Sequence, residues 1–276
     1  MNWQGIDISK VRGGKMPCPK CSPDRKDKRD PCLSVDIQRG LWNCHHCGWK
    51  GTAVVFEKRE YVKPVPRLEK VGTKVQQFFT DRGISNQTII WAKVSEASEW
   101  MPQFEKEVPV ICFNYFRNEE LVNIKFRGPN KSFKLSKDAE LIFYNLDSIQ
   151  DEVVIVEGEI DCLSMIEAGI FNCVSVPNGA SKGNQKLEYL DNCWGDFEGC
   201  KKIVLAVDND EAGESLKQEL ARRLGKERCY TVTYPDGCKD ANDVLLKYGK
   251  EQLKEIVLNA KDWPIEGIVG MEDIYP

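Results

Sequence analysis

Two apolar runs that end in carboxylates constrain this chain more than any other feature. The first reads Val153-Val154-Ile155-Val156-Glu157-Gly158-Glu159-Ile160-Asp161, the second Ile203-Val204-Leu205-Ala206-Val207-Asp208-Asn209-Asp210. Unbroken apolar runs of this length suit strands covered on both faces, as in a parallel sheet. The C-terminal ends of such strands are where open α/β sheets bind ligands. Two of them side by side would gather three or four carboxylates around one point. Like charges ~4 Å apart repel by roughly 1 kcal/mol in water, and by more once desolvated. A cation relieves that repulsion, and carboxylate oxygens select a hard one, Mg²⁺ or Mn²⁺. The plainer reading is acids at helix starts, favoured by the macrodipole. One cluster would be explained that way; two behind successive apolar runs argue against it.

The surroundings fit an α/β arrangement. Strands are expected near 153–156, 173–176, 203–207 and 229–234, and helices near 160–168, 211–224 and 241–258. In the second helix Ala212, Leu216, Leu220 and Leu224 recur every fourth residue with charge between them. Alternation of strand and helix implies a largely parallel sheet. Gly158 allows a sharp turn at the strand end. Asp208 and Asp210 straddle one residue, so an extended backbone turns both to one side. Asp240, in Lys239-Asp240-Ala241-Asn242-Asp243, either joins the acidic site or caps a helix. Asn178-Gly179-Ala180-Ser181 is either a tight turn approaching a phosphate or plain loop.

Upstream, short helices are expected at 71–82 and 85–92. Residues 108–127 read as a β-hairpin turning at Asn118-Glu119-Glu120, with Asn123, Lys125 and Arg127 on one face. The segment Arg117–Lys137 carries 6 basic against 2 acidic residues. Lys125, Arg127, Lys131 and Lys134 are therefore candidates to neutralise nucleotide or primer phosphates; otherwise they are solvated strand edges.

The first 52 residues have little apolar periodicity. Cys18-Pro-Lys-Cys21 and Cys44-His-His-Cys47 give C-x2-C-x22-C-x2-C, a spacing that grips Zn²⁺ tetrahedrally through two tight turns. So small a segment would take much of its folding free energy from the ion. Cys32, His45 and His46 could compete as ligands but fit the spacing less well. Basic residues Arg25, Lys26, Lys28, Arg29, Arg39 and Lys50 interleave with Trp42, His45 and Trp49. Charge mixed with aromatic faces is what single-stranded nucleic acid needs, so Trp42, His45 and Trp49 are template-binding candidates. A structural zinc with a solvated loop is the alternative.

Bulk properties narrow the classes. The net charge of −4 conceals 13 Lys/Arg against 7 Asp/Glu in residues 1–63, and affinity for nucleic acid follows such local basic surface. No apolar stretch approaches the ~20 residues that span a bilayer, and no signal core opens the chain. Twelve cysteines, only four of them in paired spacing, favour reduced thiols plus one metal site over a disulfide framework. A cytoplasmic protein without a membrane partner is expected. No G-x-x-x-x-G-K-[S/T] occurs, so there is no P-loop.

Glu157, with Asp208-Asn-Asp210, resembles the signature of the TOPRIM domain of primases, topoisomerases and some nucleases. The order is more specific: a four-Cys zinc module, a basic β region, then TOPRIM. This resembles the zinc-binding and primase half of the T-odd phage bifunctional primase-helicases. Glu157-Gly-Glu-Ile-Asp161, Asp208-Asn-Asp-Glu-Ala-Gly213 and Lys239-Asp-Ala-Asn242 lie close to that family's motifs. The resemblance implies a zinc-ribbon module followed by an α+β RNA polymerase region containing a Rossmann-like parallel sheet. The expected organisation is a zinc-binding domain at 1–56, a linker at 57–70, a basic subdomain at 71–150, TOPRIM at 151–262 and an interdomain linker from 263 to 276.

It also implies synthesis of short RNA primers on single-stranded DNA from ribonucleoside triphosphates, with structural Zn²⁺ and catalytic Mg²⁺ or Mn²⁺. The implied partners are the template, the RNA primer, a helicase domain in cis and a replicative DNA polymerase, in the host cytoplasm if phage-encoded. Glu157, Asp161, Asp208, Asp210 and Asp240 fall on the family's acidic positions. Glu157, Asp208 and Asp210 would hold magnesium, with Glu157 serving as ligand or as base. The loop between the cysteine pairs is longer than in the phage prototype, so template-reading residues do not carry over. The helicase half is absent, which suggests a fragment rather than a stand-alone primase. The rivals are a TOPRIM nuclease or topoisomerase-like cleaver, for which no nucleophilic tyrosine stands out, and a non-catalytic zinc-ribbon binder.

Overall fold

The computed structural model describes residues 2–3, 5–37, 40–52, 60–67, 69–180 and 187–264. Expectations placed on Arg39, Ser181, residues 57–59 and 68 of one linker and residues 265–276 of the other lie outside these. The chain divides into two compact units, residues 1–60 and 61–276.

The first unit is a small β structure. Strands β1 (Asn2–Trp3) and β2 (Ile6–Asp7) pair antiparallel. Strands β3 (Lys15–Met16), β4 (Leu33–Asp36), β5 (Leu41–Cys44) and β6 (Lys50–Thr52) form an antiparallel sheet in sequence order. Period-two burial decides its faces: Leu33 and Val35 on β4, Trp42 and Cys44 on β5, all point inward. The core among the described residues is eight side chains, two of them cysteines. A core of this size leaves a unit of about 60 residues only marginally stable, so a bound metal would add to what holds it.

The second unit opens with α1 (Thr73–Thr80) and α2 (Asn86–Trp91), the latter capped by Ser85. Four antiparallel strands follow: β7 (Ser95–Met101), β8 (Lys106–Arg117), β9 (Glu120–Arg127) and β10 (Phe133–Leu135), in spatial order β10-β9-β8-β7. The hairpin turns in two residues rather than three. Asn118 and Glu119 both have positive φ (51° and 65°), and Glu120 already belongs to β9. Left-handed geometry at both positions is what a type I′ turn demands. Asp147 steadies it by accepting from the backbone N–H of Asn118 (2.7 Å) and Glu119 (2.8 Å). Strands β7 and β10 were not expected: Ser-Glu-Ala-Ser-Glu-Trp-Met is too polar to read as a strand, and β10 is only three residues long.

The second sheet carries the acids. It contains β11 (Glu152–Val156), β12 (Cys173–Ser175), β13 (Lys202–Leu205), β14 (Cys229–Thr231) and β15 (Lys261–Asp262) in order β12-β11-β13-β14-β15. All pairs are parallel except β14 with β15. Its helices are α3 (Glu159–Glu167), α4 (Glu188–Asn192), α5 (Glu211–Leu224) and α6 (Ala241–Leu258). Val153 to Val156 and Ile203 to Val207 are all buried, as strands covered on both faces require. The fourth strand is shorter than its expected 229–234 span, and α6 breaks its helical geometry at Gly249 (φ 86°). The described part of the expected first linker is tied to this unit: Val62 N–H donates to the Asp138 carbonyl, and Arg67 pairs with Glu99. Among the described residues no helix is long and apolar enough to cross a membrane.

Candidate active site

The register of the parallel sheet brings the acids together. Val153 faces Ile203 and Ile155 faces Leu205, so the next turns carry Glu157 and Asp208 to the same edge. Each acid is then fixed by local backbone. Glu157 Oε1 accepts from the Ala180 N–H at 3.0 Å. Asp210 caps α5, its Oδ1 accepting from Ala212 (3.0 Å) and Gly213 (2.9 Å). Asp240 caps α6 through Asp243 N–H at 2.8 Å. Asp161 accepts from Asn242 N–H at 3.3 Å. Asp240 thus does both things the sequence left open, capping a helix and lining the acidic cavity. Gly213 is required by contact: a Cβ there would lie 2.1 Å from the Asp208 carbonyl oxygen.

These carboxylates face a cavity of ≈ 680 Å³ lined by Glu157, Asp161, Asp208 and Asp240 on one side. Asp210 stands beside that lining and is tied to it through Lys239, whose Nζ lies 2.8 Å from Asp208 and 2.9 Å from Asp210. The electrostatics are those of crowded acids. Burial, then the charges of Asp208 and Asp210, raise the pKa of Glu157. Burial, then Asp240 and Asp208, push Asp161 well up. Burial, then Asp243 and Asp208, raise Asp240. Asp210 goes the other way, held down first by the Gly213 N–H and then by Lys239. Glu157 Oε2 is buried with no hydrogen-bond partner. A bare carboxylate oxygen among acids of raised pKa fits a hard divalent cation, which takes carboxylate oxygens and lowers those pKa values at once.

The opposite wall comes from the antiparallel sheet and α1. Arg127, Lys131 and Lys134 line it, with Arg82 from the turn after α1. Arg82 was not foreseen, since nothing near it in sequence marks a site. Its guanidinium stacks 3.6 Å from the centroid of Phe78, and Arg127 stands 5.2 Å from the same ring. Burial, then Arg82, lowers the pKa of Arg127. Among the described residues neither arginine, nor Lys131, forms an ion pair, so their charge is available to phosphate. Two of the predicted phosphate ligands differ. Lys125 is buried and donates to both carboxylate oxygens of Glu159 (2.8 and 3.0 Å), which also accepts from Tyr115 Oη at 2.5 Å. Lys134 pairs with Glu99 at 2.7 Å. Both line the cavity, but their charge is already partnered within the fold. Asn123, on the Lys125 face, bonds the Glu140 carbonyl instead. Asn178 and Gly179 line the cavity beside Glu157, with Gly179 at φ +66°.

The first unit holds the second site. The sulfurs of Cys18, Cys21, Cys44 and Cys47 all lie within 4.8 Å of one another. Cys18 to Cys47 is 3.9 Å and Cys21 to Cys44 is 3.7 Å. Tetrahedral Zn–S bonds of about 2.3 Å imply sulfur separations of about 3.8 Å, so the donor set fits zinc. Cys32 packs its sulfur 3.7 Å from Cys44, outside this quartet, and His45 bonds Ser34. The template-binding set needs one correction. Trp42 is 3% exposed, packed 5.6 Å from Trp49 and against Gly51, where a Cβ would meet its ring at 2.4 Å. It is a core residue, pointing inward on β5 with Cys44. His45 is exposed and Trp49 half-buried, and both remain candidates.

The comparisons agree with this geometry. A Toprim-like family model matches residues 154–245, which hold all five acids. The "Primase homolog protein" of Arabidopsis thaliana is 36% identical over 96% of this chain and 88% of its own length. The "Twinkle homolog protein, chloroplastic/mitochondrial" of the same plant is 35% identical over 99% of this chain, which spans only 43% of that relative. A structure of bacteriophage T7 lagging-strand DNA polymerase interacting with primase domains of two gp4 subunits, bound to an RNA/DNA hybrid and dTTP, contains a similar chain. The match has a TM-score of 0.56 at 28% identity and covers 71% of this chain and 94% of that one.

Proposed function

The chain belongs to the TOPRIM-type DNA primases, and from that premise we propose that it makes short RNA primers on single-stranded DNA by metal-assisted nucleotidyl transfer. The observation that carries the reading is one cavity lined both by clustered carboxylates and by guanidinium groups that form no ion pair among the described residues. That pairing suits a reaction that joins a hydroxyl to a triphosphate and releases pyrophosphate. Asp208 and Asp210 would hold Mg²⁺ or Mn²⁺, which when bound supplies Lewis-acid stabilisation to the phosphoryl oxygens. Arg82, Arg127 and Lys131 would neutralise and orient the phosphates, the guanidinium groups in bidentate contacts. Glu157, with one oxygen fixed by Ala180 and the other bare, would complete the ion's ligands or accept the proton of the attacking 3′-hydroxyl. As a base it would contribute about 10²–10⁴-fold.

The zinc unit is assigned to the template. Lys26, Lys28, Arg29, His45 and Lys50 are exposed on it, and exposed cations with aromatic faces suit single strands. A helicase, in the same polypeptide or apart, and a polymerase that extends the primer complete the proposal. The proposed compartment is wherever that replisome works: the host cytoplasm, or an organelle as in the plant relative's name. The test supplies ribonucleotides, Mg²⁺ and random-sequence single-stranded DNA, then sequences the products. Template-complementary RNA supports the reading. Cleaved DNA without added nucleotides would replace it by a nuclease.

A further inference from the structure

Lys239 occupies a position that the site's chemistry does not explain by itself. Its side chain is 51% exposed, yet its ammonium bridges Asp208 Oδ2 at 2.8 Å and Asp210 Oδ2 at 2.9 Å. The backbone beneath it is fixed. Asn209 N–H donates to the Lys239 carbonyl at 2.7 Å, and Lys239 N–H donates to Asp243 at 2.9 Å. These two bonds fix the loop against the Asp208–Asp210 turn and the start of α6. Only the four-carbon stem is free to move, and such stems exchange partners readily.

We propose that Lys239 is a tethered counter-ion for the Asp208–Asp210 pair, competing with the divalent cation for the same two carboxylates and setting the cation concentration at which the site loads. This rests on the reading that those aspartates hold the ion. An ammonium and a divalent cation cannot both sit against the same two oxygens, since at contact distance like charges repel strongly. Loading therefore requires Lys239 to swing away. It lines the same cavity, so a nucleotide's phosphates would offer it new anions. Loading with nucleotide present then exchanges one set of partners for another and leaves no charge stranded. Lys239 is thus neither a ligand nor a mere surface ion pair. A ligand-like or structural role predicts weaker cation binding on its removal, an idle pair predicts no change, and a competing counter-ion predicts tighter binding.

The experiment titrates the zinc-loaded full chain with Mn²⁺ alone and counts free ion by electron paramagnetic resonance. Lys239→Met is expected to lower the Mn²⁺ dissociation constant by about tenfold, the scale of one removed like charge in a partly solvated site. Lys239→Arg, which keeps the charge, is expected to stay within about twofold of the parent by the same argument. Asp208→Ala is expected to lose the binding. Unchanged or weaker binding in Lys239→Met, with binding lost in Asp208→Ala, overturns the counter-ion role alone. Unchanged binding in Asp208→Ala overturns the underlying site assignment, and the role of Lys239 with it.

Discussion

The unit at 1–60 presents four soft cysteine sulfurs on a core of eight buried side chains among its described residues, while the unit at 61–276 presents hard carboxylates on a core that runs through both of its sheets. In the first, the small core implies that a metal would have to help make the fold. In the second, the fold itself places the acids: β11 and β13, the caps of α5 and α6 and the Ala180 N–H hold them with no ion required. The difference follows from how each cost is met. A zinc ribbon lacks apolar area and gains its stability from coordination. The acidic edge gains its rigidity from buried strands and can therefore tolerate mutual repulsion among its carboxylates.

Removing zinc with a chelator is the strongest way to break this comparison. Structural zinc contributes about 10–16 kcal/mol of apparent free energy in small modules. Hydrogen exchange should show residues 15–52 losing protection while β11 and β13 keep theirs. Equal protection with and without chelator would put the first unit in the same class as the second.

The converse experiment weakens the second unit without touching metal. Glu167 on α3 accepts from Ser85 N–H (2.9 Å) and Oγ (2.8 Å), from Thr88 Oγ1 and from Lys250 Nζ (2.5 Å). This ties α2, α3 and α6 together behind the cavity. Glu167→Ala should cost about 1–3 kcal/mol in denaturant unfolding, because it leaves the buried Thr88 hydroxyl without its acceptor and releases the exposed Ser85 and Lys250. These donors hold the Glu167 pKa at about 2, against an ordinary 4.5. A depressed carboxylate stabilises the fold above its unfolded pKa. That contribution should therefore be present above pH 4.5 and vanish as the pH falls toward about 2. The parent should lose more stability than the variant across that window.

Gly213→Ala sharpens the comparison at the site itself. The new methyl meets the Asp208 carbonyl oxygen, so α5 must shift away from the acids. The expected cost is about 1–3 kcal/mol of stability, with a larger loss of synthesis than the stability change explains. The smallest effect is at Cys32, whose sulfur touches the quartet without belonging to it. Cys32→Ala should keep zinc stoichiometry and cost about 1 kcal/mol or less in stability.

Where sequence and structure agree, the signal was local. The apolar runs, the every-fourth-residue leucines of α5 and the paired CxxC spacing each follow from neighbours in the chain. The residues missed depend on distant partners. Arg82 reaches the cavity only because Asn242 holds its carbonyl at 2.8 Å and Phe78 its guanidinium face. Glu159 read as one more carboxylate of the acidic run, yet it neutralises Lys125. A lone lysine in the apolar strand Leu-Val-Asn-Ile-Lys-Phe was the available clue, since a buried ammonium needs a carboxylate. Trp42 was misread because composition says that an aromatic is near basic charge but not which face of β5 it takes. Pairing with β4 decides that.

The most direct test of the central claim is primer synthesis by Asp208→Ala and Asp210→Ala on single-stranded DNA with ribonucleotides and Mg²⁺, beside a folding control. The account predicts that both variants keep the fold and lose synthesis by about 10²-fold or more, the scale of removing a charge-stabilising group from an active site. Full synthesis by either variant would contradict it.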